Sequence, residues 1–250
     1  MSHRRIEVIG HAGAAGFHPH NSLESLQKAL ELGVDRIEID VLSTREETLV
    51  LVHDKRIVFN NRRGPVGSLS LDEVRVSIPG ALTLEEAHEL TTRRIPLLLD
   101  IKGRHYVQSL VASIELIAAT DPISASSTHA RVLRQLHYKF PEMSLGLSRG
   151  HSLTKIRNRF LRGLVGRIVS IAMTLPALIV ARQCGAGELM IQHHSCTRLL
   201  VSAAHMAGFK VNVWTVDNPE DIRRAMRIGV DGIISNRPDR VFAELSQNES

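Results

Sequence analysis

Between Arg36 and Asp54 the chain reads RIEIDVLSTREETLVLVHD. Ile37, Ile39 and Val41 alternate with Glu38 and Asp40, the two-residue period of a β-strand. That period sets both carboxylates on one face. After a polar turn over 43–48, a second apolar run at 49–52 delivers His53 and Asp54. The turn is too short for a parallel crossover, so the second run is a hairpin return. Upstream, residues 6–9 predict a strand that opens into Gly10-His11-Ala12-Gly13. Leu23, Leu26, Ala29, Leu30 and Leu32 then recur at helical spacing, with Asn21 or Ser22 as cap and Gly33 as stop.

The alternation continues downstream. A basic loop at 55–67 precedes two helices announced by Ser70-Leu71-Asp72-Glu73 and Thr83-Leu84-Glu85-Glu86. Strands are predicted at 96–102, 123–126, 144–148, 189–192, 211–216 and 232–235, with helices between them at 107–118, 130–138, up to about 206, and 218–228. Setting aside the hairpin return, eight parallel strands alternate with helices, the number that closes a (β/α)8 TIM barrel. An open doubly wound sheet is the competing layout, but no GxGxxG follows the first strand. The expected architecture is therefore a single 1–250 α/β barrel domain, with a small hairpin insertion after strand 2 and a long insertion after the sixth predicted strand. His11, Glu38, Asp40, Asp100, Lys102 and Trp214 all fall near strand carboxyl ends, where barrel chemistry sits.

Composition narrows the picture. A hydrophobic content of 43% with one Trp, two Tyr and six Phe calls for an aliphatic core. Neither a secretory signal nor an apolar run of about 18 residues is visible, and Cys184 and Cys196 lack zinc or disulfide-framework spacing. A cytoplasmic location is expected. A net charge of +5 and a pI near 9.6 favour anionic partners such as phosphate esters or anionic lipid. Zinc-finger spacing, aromatic RNP patterns and basic heptad helices are missing, so nucleic acid is not the expected partner. Between Glu142 and Glu188 there is no acidic residue, while Arg149, Lys155, Arg157, Arg159, Arg162, Arg167 and Arg182 are basic. The uncharged stretch 168–181 is too short to span a bilayer of about 30 Å. A basic flank beside an apolar stretch nevertheless has the composition of an interfacial anchor, so 152–183 is a candidate for peripheral membrane contact.

Adjacent buried carboxylates repel each other, and a divalent cation resolves that conflict. The Glu38–Asp40 pair with a nearby imidazole thus reads as a hydrolytic metal site. Plainer readings exist: a solvated strand face for the acids, an internal salt bridge for Asp100 and Lys102, a helix cap for Asn21, core for Trp214, solvated loop residues for His18 and His20.

The ordered motifs decide among these. Gly10-His11-Ala12-Gly13 resembles the His-Arg-Gly that opens the glycerophosphodiester phosphodiesterase family, and Pro19-His20-Asn21-Ser22 resembles its Pro-Glu-Asn-Thr. Gly33 to Val41 resembles Gly-Ala-Asp-x-x-Glu-x-Asp-Val, His53-Asp54 its His-Asp, Leu82 to Glu86 its Pro-Thr-Leu-Glu-Glu, and Asp100-Ile101-Lys102 its Glu-Ile-Lys. Near the end, Trp214-Thr215-Val216-Asp217 resembles Trp-Thr-Val-Asn, and Gly229 to Pro238 resembles Gly-Val-Asp-Gly-Ile-Ile-Thr-Asp-x-Pro. The resemblance implies a TIM barrel that hydrolyses phosphodiesters with one divalent cation, Mg2+ or Ca2+ and also Mn2+. It implies Glu38, Asp40 and Asp100 as metal ligands and His11 and His53 as general base and general acid. Lys102, Trp214, Asn21 and His20 are then expected to contact substrate. Three positions depart from the pattern: Ala12 for Arg, His20 for Glu, and Asp100 for Glu, with Arg62 or Arg63 as candidate replacements for the lost Arg. Two alternatives stay open, a lysophospholipase D-type hydrolase at a membrane and a catalytically weakened barrel that binds a phosphorylated ligand.

Overall fold

The computed structural model describes residues 5–149, 172 and 174–249. Eight parallel strands close on themselves. They are β1 (Glu7–Gly10), β2 (Arg36–Ser43), β6 (Leu97–Ile101), β7 (Ile123–Ser127), β8 (Ser144–Arg149), β9 (Glu188–Gln192), β10 (Lys210–Trp214) and β11 (Gly232–Ser235). Each pairs with the next, and β11 and β2 both pair with β1, completing the ring. β3 (Leu49–Leu51) runs antiparallel along β2, matching Val41 with Leu51, as the short turn requires. The expected barrel and its hairpin return are both present.

The 55–67 segment is a correction. It is not a plain loop but a two-stranded hairpin, β4 (Arg56–Phe59) paired antiparallel with β5 (Arg62–Pro65), followed by a single 3-10 turn. Asn60 and Asn61 join the strands with φ of +48° and +59°, the left-handed pair that a tight hairpin turn demands. Arg62 and Arg63 lie exposed on this hairpin. The long insertion follows β8, the fifth barrel strand; the expected sixth place counted the hairpin return. Most of 152–183 lies outside the described residues, and 174–183 forms a helix, α6.

The outer helices are α1 (Leu23–Leu32), α2 (Leu71–Ser77), α3 (Leu84–Thr91), α4 (Val107–Ala118), α5 (Ala130–Lys139), α6, α7 (Arg198–Met206), α8 (Pro219–Ile228) and α9 (Pro238–Glu249). Ser22 caps α1 through the Ser25 N–H, so Asn21 is released from capping. Ser70–Glu73 and Thr83–Glu86 form reciprocal capping boxes on α2 and α3. Odd-numbered β2 residues Ile37, Ile39 and Val41 face the helices, and even-numbered Arg36, Glu38 and Asp40 face the barrel axis.

The interior is layered. At the amino ends of the strands, Arg36 reaches Glu7 Oε1 at 2.6 Å and Glu188 Oε2 at 3.1 Å, and Asn212 donates to Glu188 at 2.6 Å. Above this polar floor, Ile9, Leu98, Met190 and Ile234 form an apolar plug, against which half-buried Trp214 packs. Glu38 lies directly across from Leu98 of the plug in the β2–β6 register, and Asp40 and Asp100 stand one inward position further toward the carboxyl ends.

Candidate active site

The turn after β1 builds one wall. A Cβ on Gly10 would fall 2.3 Å from Gly13 O, and one on Gly13, at φ +83°, would lie 2.5–2.7 Å from Ser25. Only glycines allow the chain to fold this tightly. The consequence is that the Ala12 N–H points at Glu38 Oε2, 2.9 Å away. Ala12 itself is fully buried, so the position that is Arg in the family motif offers backbone in place of a guanidinium.

Parallel register fixes the acids. Asp40 lies directly across from Asp100 in the β2–β6 pairing, and Glu38 stands one inward position below Asp40. One oxygen from each of Glu38, Asp40 and Asp100 lies within 4.8 Å of the others. Asp40 is completely buried and its amide partner is Asn21, which donates Nδ2–H to Oδ2 at 2.9 Å and accepts the Asp40 N–H at 3.1 Å. The Asn21 amide is thus committed to the acid rather than open to substrate. Ser126, which the sequence reading missed, donates to Asp100 Oδ1 at 3.1 Å.

Lys102 closes the cluster, with Nζ 2.6 Å from Asp40 Oδ1 and in contact with Asp100 Oδ2. Burial acts to lower the Lys102 pKa, but Asp100, Asp40 and Glu38 outweigh it and raise it. Burial also acts to raise Asp40, yet the charge of Lys102 holds it below the ordinary carboxylate range. Glu38 goes the other way: burial, then Asp40 and Asp100, push its pKa well up. Buried Glu38 and Asp40 and half-buried Asp100 thus crowd three carboxyl groups around one ammonium, and Asp40 Oδ1 has no aligned hydrogen-bond donor. An all-oxygen set of this kind fits a hard divalent cation.

Three imidazoles line the opposite side. His11 Nε2 is 3.9 Å from Glu38 Oε2, and its Nδ1 lies 2.7 Å from Asn236 Oδ1. The His20 ring meets His11 edge-on at 5.6 Å between centroids and His53 at 6.1 Å, so it stands between them. Burial, then the neighbouring His11, lowers the His20 pKa. His53 is largely exposed and holds Asp54 Oδ1 at 2.9 Å. Trp214 borders the plug, beside Gln192 in the β9–β10 register. His11, His20, Asn21, Glu38, Asp40, His53, Asp100 and Lys102 are therefore gathered into one cluster, with Trp214 against the plug beside it, while among the described residues nothing brings Arg62 or Arg63 into contact with it. Asn236 and Asp217 are also part of this end, although the sequence reading gave them no role.

Comparison with known proteins identifies the family. The profile of the glycerophosphoryl diester phosphodiesterase family matches residues 11–143 and 148–240. A glycerophosphodiester phosphodiesterase from Caldanaerobacter subterraneus subsp. tengcongensis is 26% identical over 238 residues, covering 94% of this chain and 96% of that protein. One from Bacillus altitudinis is 25% identical over 253 residues, covering 94% and 96%. Among solved structures, a phosphodiesterase from Oleispira antarctica in complex with the product sn-glycerol-3-phosphate superposes with a TM-score of 0.76 at 21% identity, covering 96% of each chain. A glycerophosphodiester phosphodiesterase from Parabacteroides distasonis gives 0.78 at 19% identity, covering 98% of each. With its profile matched almost from end to end, the chain belongs to the glycerophosphoryl diester phosphodiesterase family.

Proposed function

We propose that this phosphoric diester hydrolase cleaves glycerophosphodiesters to sn-glycerol 3-phosphate and an alcohol, using one divalent cation and two histidines. The observation that carries the proposal is the meeting of Glu38, Asp40 and Asp100 within 4.8 Å, beside His11. These three residues would hold the cation. When bound, it neutralises phosphoryl oxygens and makes phosphorus more open to attack. Lys102, already turned toward the same oxygens, adds a second positive charge for the phosphoryl group.

His11 acts as general base through Nε2, since its Nδ1 is engaged by Asn236. It takes the proton of the substrate hydroxyl neighbouring the phosphate, and that oxygen attacks phosphorus. His53 protonates the departing alkoxide, giving a cyclic phosphate and the free alcohol. Water then opens the ring by the reverse proton movements. The exposed position of His53 suits a residue that meets the leaving group at the mouth. His20 lies against both rings and bounds the space between them. The product complex of the Oleispira relative supports the glycerol phosphate end of the substrate.

The test is release of choline or ethanolamine from glycerophosphocholine or glycerophosphoethanolamine, with Mg2+, Mn2+ or Ca2+ supplied. Turnover abolished by His11→Ala or His53→Ala supports the reading. No turnover on a broad diester panel supports instead a phosphate-binding barrel.

A second reading concerns where the substrate comes from. Leu175 and Ile179 are exposed on α6, one helical turn apart, and follow the basic stretch in sequence. No described helix is long and apolar enough to cross a membrane. Surface contact with anionic lipid through this region would make lysophospholipids substrates. Co-sedimentation with anionic vesicles, lost when 152–183 is removed, supports this; no binding by the intact chain rejects it.

A further inference from the structure

His11 is held by a relay that runs through two more strands. Its Nδ1 meets Asn236 Oδ1 at 2.7 Å; the Asn236 Nδ2–H donates to Asp217 Oδ2 at 2.8 Å. Asp217 Oδ1 in turn accepts the Asn236 backbone N–H at 2.8 Å and the Ser235 hydroxyl at 3.0 Å. The loop is pinned from both sides, because His11 N–H donates to Ser235 O and Arg240 donates to Asp217 O. The end of β1, the end of β11 and the turn after β10 thus converge on one imidazole.

The direction of this chain has a chemical consequence. A carboxylate only accepts hydrogen bonds, so Asp217 dictates that the Asn236 amide turns its NH2 inward to it. The amide oxygen is then left facing His11, and only the Nδ1–H tautomer can donate to it. In that tautomer Nε2 carries the lone pair, and Nε2 is the nitrogen on the Glu38 side.

We propose that Asp217 is a positioning residue for the reaction, fixing the tautomer and ring plane of His11 through the Asn236 amide. The inference rests on the reading of His11 as general base. Asp217 touches no reacting atom; it works through the orientation of a neighbour. Asn at 217 would free the Asn236 amide to turn over and present NH2 to His11, selecting the tautomer with its proton on Nε2.

The experiment compares the intact wild-type enzyme with Asp217→Asn, Asn236→Asp, the double exchange and His11→Ala, using glycerophosphocholine. Loss of a partner that orients a functional histidine at a metal site costs about 10- to 100-fold, and a loss of that order is expected here. Asp217→Asn is expected to lose kcat in that range with KM nearly unchanged. The double exchange, which restores a carboxylate acceptor and an amide donor along the same chain, is expected to recover most of it. Nitrogen-15 NMR of the imidazole is expected to report Nδ1–H at His11 in the wild type and a shift toward Nε2–H in Asp217→Asn. Thermal unfolding of each variant separates this effect from a loosened loop. Undiminished kcat in Asp217→Asn alongside an inactive His11→Ala overturns this inference alone, as does a double exchange no better than the single variants or an unchanged tautomer. Full activity in His11→Ala overturns the general-base reading itself.

Discussion

The Lys102 ammonium sits 2.6 Å from Asp40 Oδ1, among the oxygens that a divalent cation would share. It is the internal counter-charge for three acids, and without it they repel at close range. Removing one partner from a buried ionic group costs about 3–5 kcal/mol. Lys102→Met is therefore expected to lower the melting temperature of the metal-free protein clearly. Added Mg2+ or Mn2+ is expected to raise that temperature more in the variant than in the wild type. Differential scanning fluorimetry with and without EDTA checks both halves.

Gly13 holds φ +83° with Ser25 packed against its Cα. Gly13→Ala adds a strained backbone, about 1 kcal/mol or more, to a steric overlap with main-chain atoms. The turn must then shift, carrying the Ala12 N–H away from Glu38 Oε2. The expected result is a protein that unfolds at lower urea concentration and has lost most of its turnover, both measurable on one preparation.

Arg36 is buried between Glu7 and Glu188 at the opposite end of the barrel. Burial acts against its charge, but Glu188 and Glu7 outweigh that and raise its pKa. Arg36→Met strands two acids beneath the apolar plug, at a cost of about 3 kcal/mol or more. Urea titration is expected to show this loss. Because Arg36 bonds Ser124, Glu7 and Glu188 and not the acids of the site, activity per folded molecule is expected to hold.

The Glu86 carboxylate accepts the Thr83 N–H at 2.8 Å and two hydrogen bonds from Arg75. The backbone bond to Thr83, against a smaller effect of burial, holds its pKa below the ordinary value of 4.5. Its folded pKa is depressed, so its stabilisation is present above about pH 4.5 and lost as pH falls through the folded value. Glu86→Gln is expected to cost at most about 1 kcal/mol at pH 7, reduced by solvent screening. The difference is expected to shrink between pH 7 and pH 3, as the carboxyl takes up its proton. Thermal unfolding at the two pH values provides the check.

The fold was legible where apolar positions kept a period. The β2–β3 hairpin could be read because Ile37, Ile39 and Val41 alternate and only a short turn follows. The β4–β5 hairpin escaped because its second strand, Arg62-Arg63-Gly64-Pro65, has no apolar face. Its signal was Asn60-Asn61, two residues that tolerate positive φ side by side. In the site, His11, Glu38, Asp40 and Asp100 stood out as charged or titratable groups at strand ends. Ser126, Asp217 and Asn236 did not, since a polar side chain becomes meaningful only when tertiary structure supplies its partner; Asn21 stood out as a cap and, through the family motif, as a substrate contact, but not as a partner of Asp40. Asn21 shows this directly: adjacent to a helix, it looks like a cap, yet Ser22 takes that role and Asn21 turns to Asp40.

The proposed chemistry requires acids from two separate strands, β2 and β6, to share one cation. Anomalous diffraction from crystals grown with Mn2+ tests it most directly. A single strong peak coordinated by Glu38, Asp40 and Asp100 is expected, with Lys102 Nζ moved off Asp40. A peak ligated elsewhere, or none at saturating Mn2+ with the Lys102–Asp40 contact intact, would contradict it.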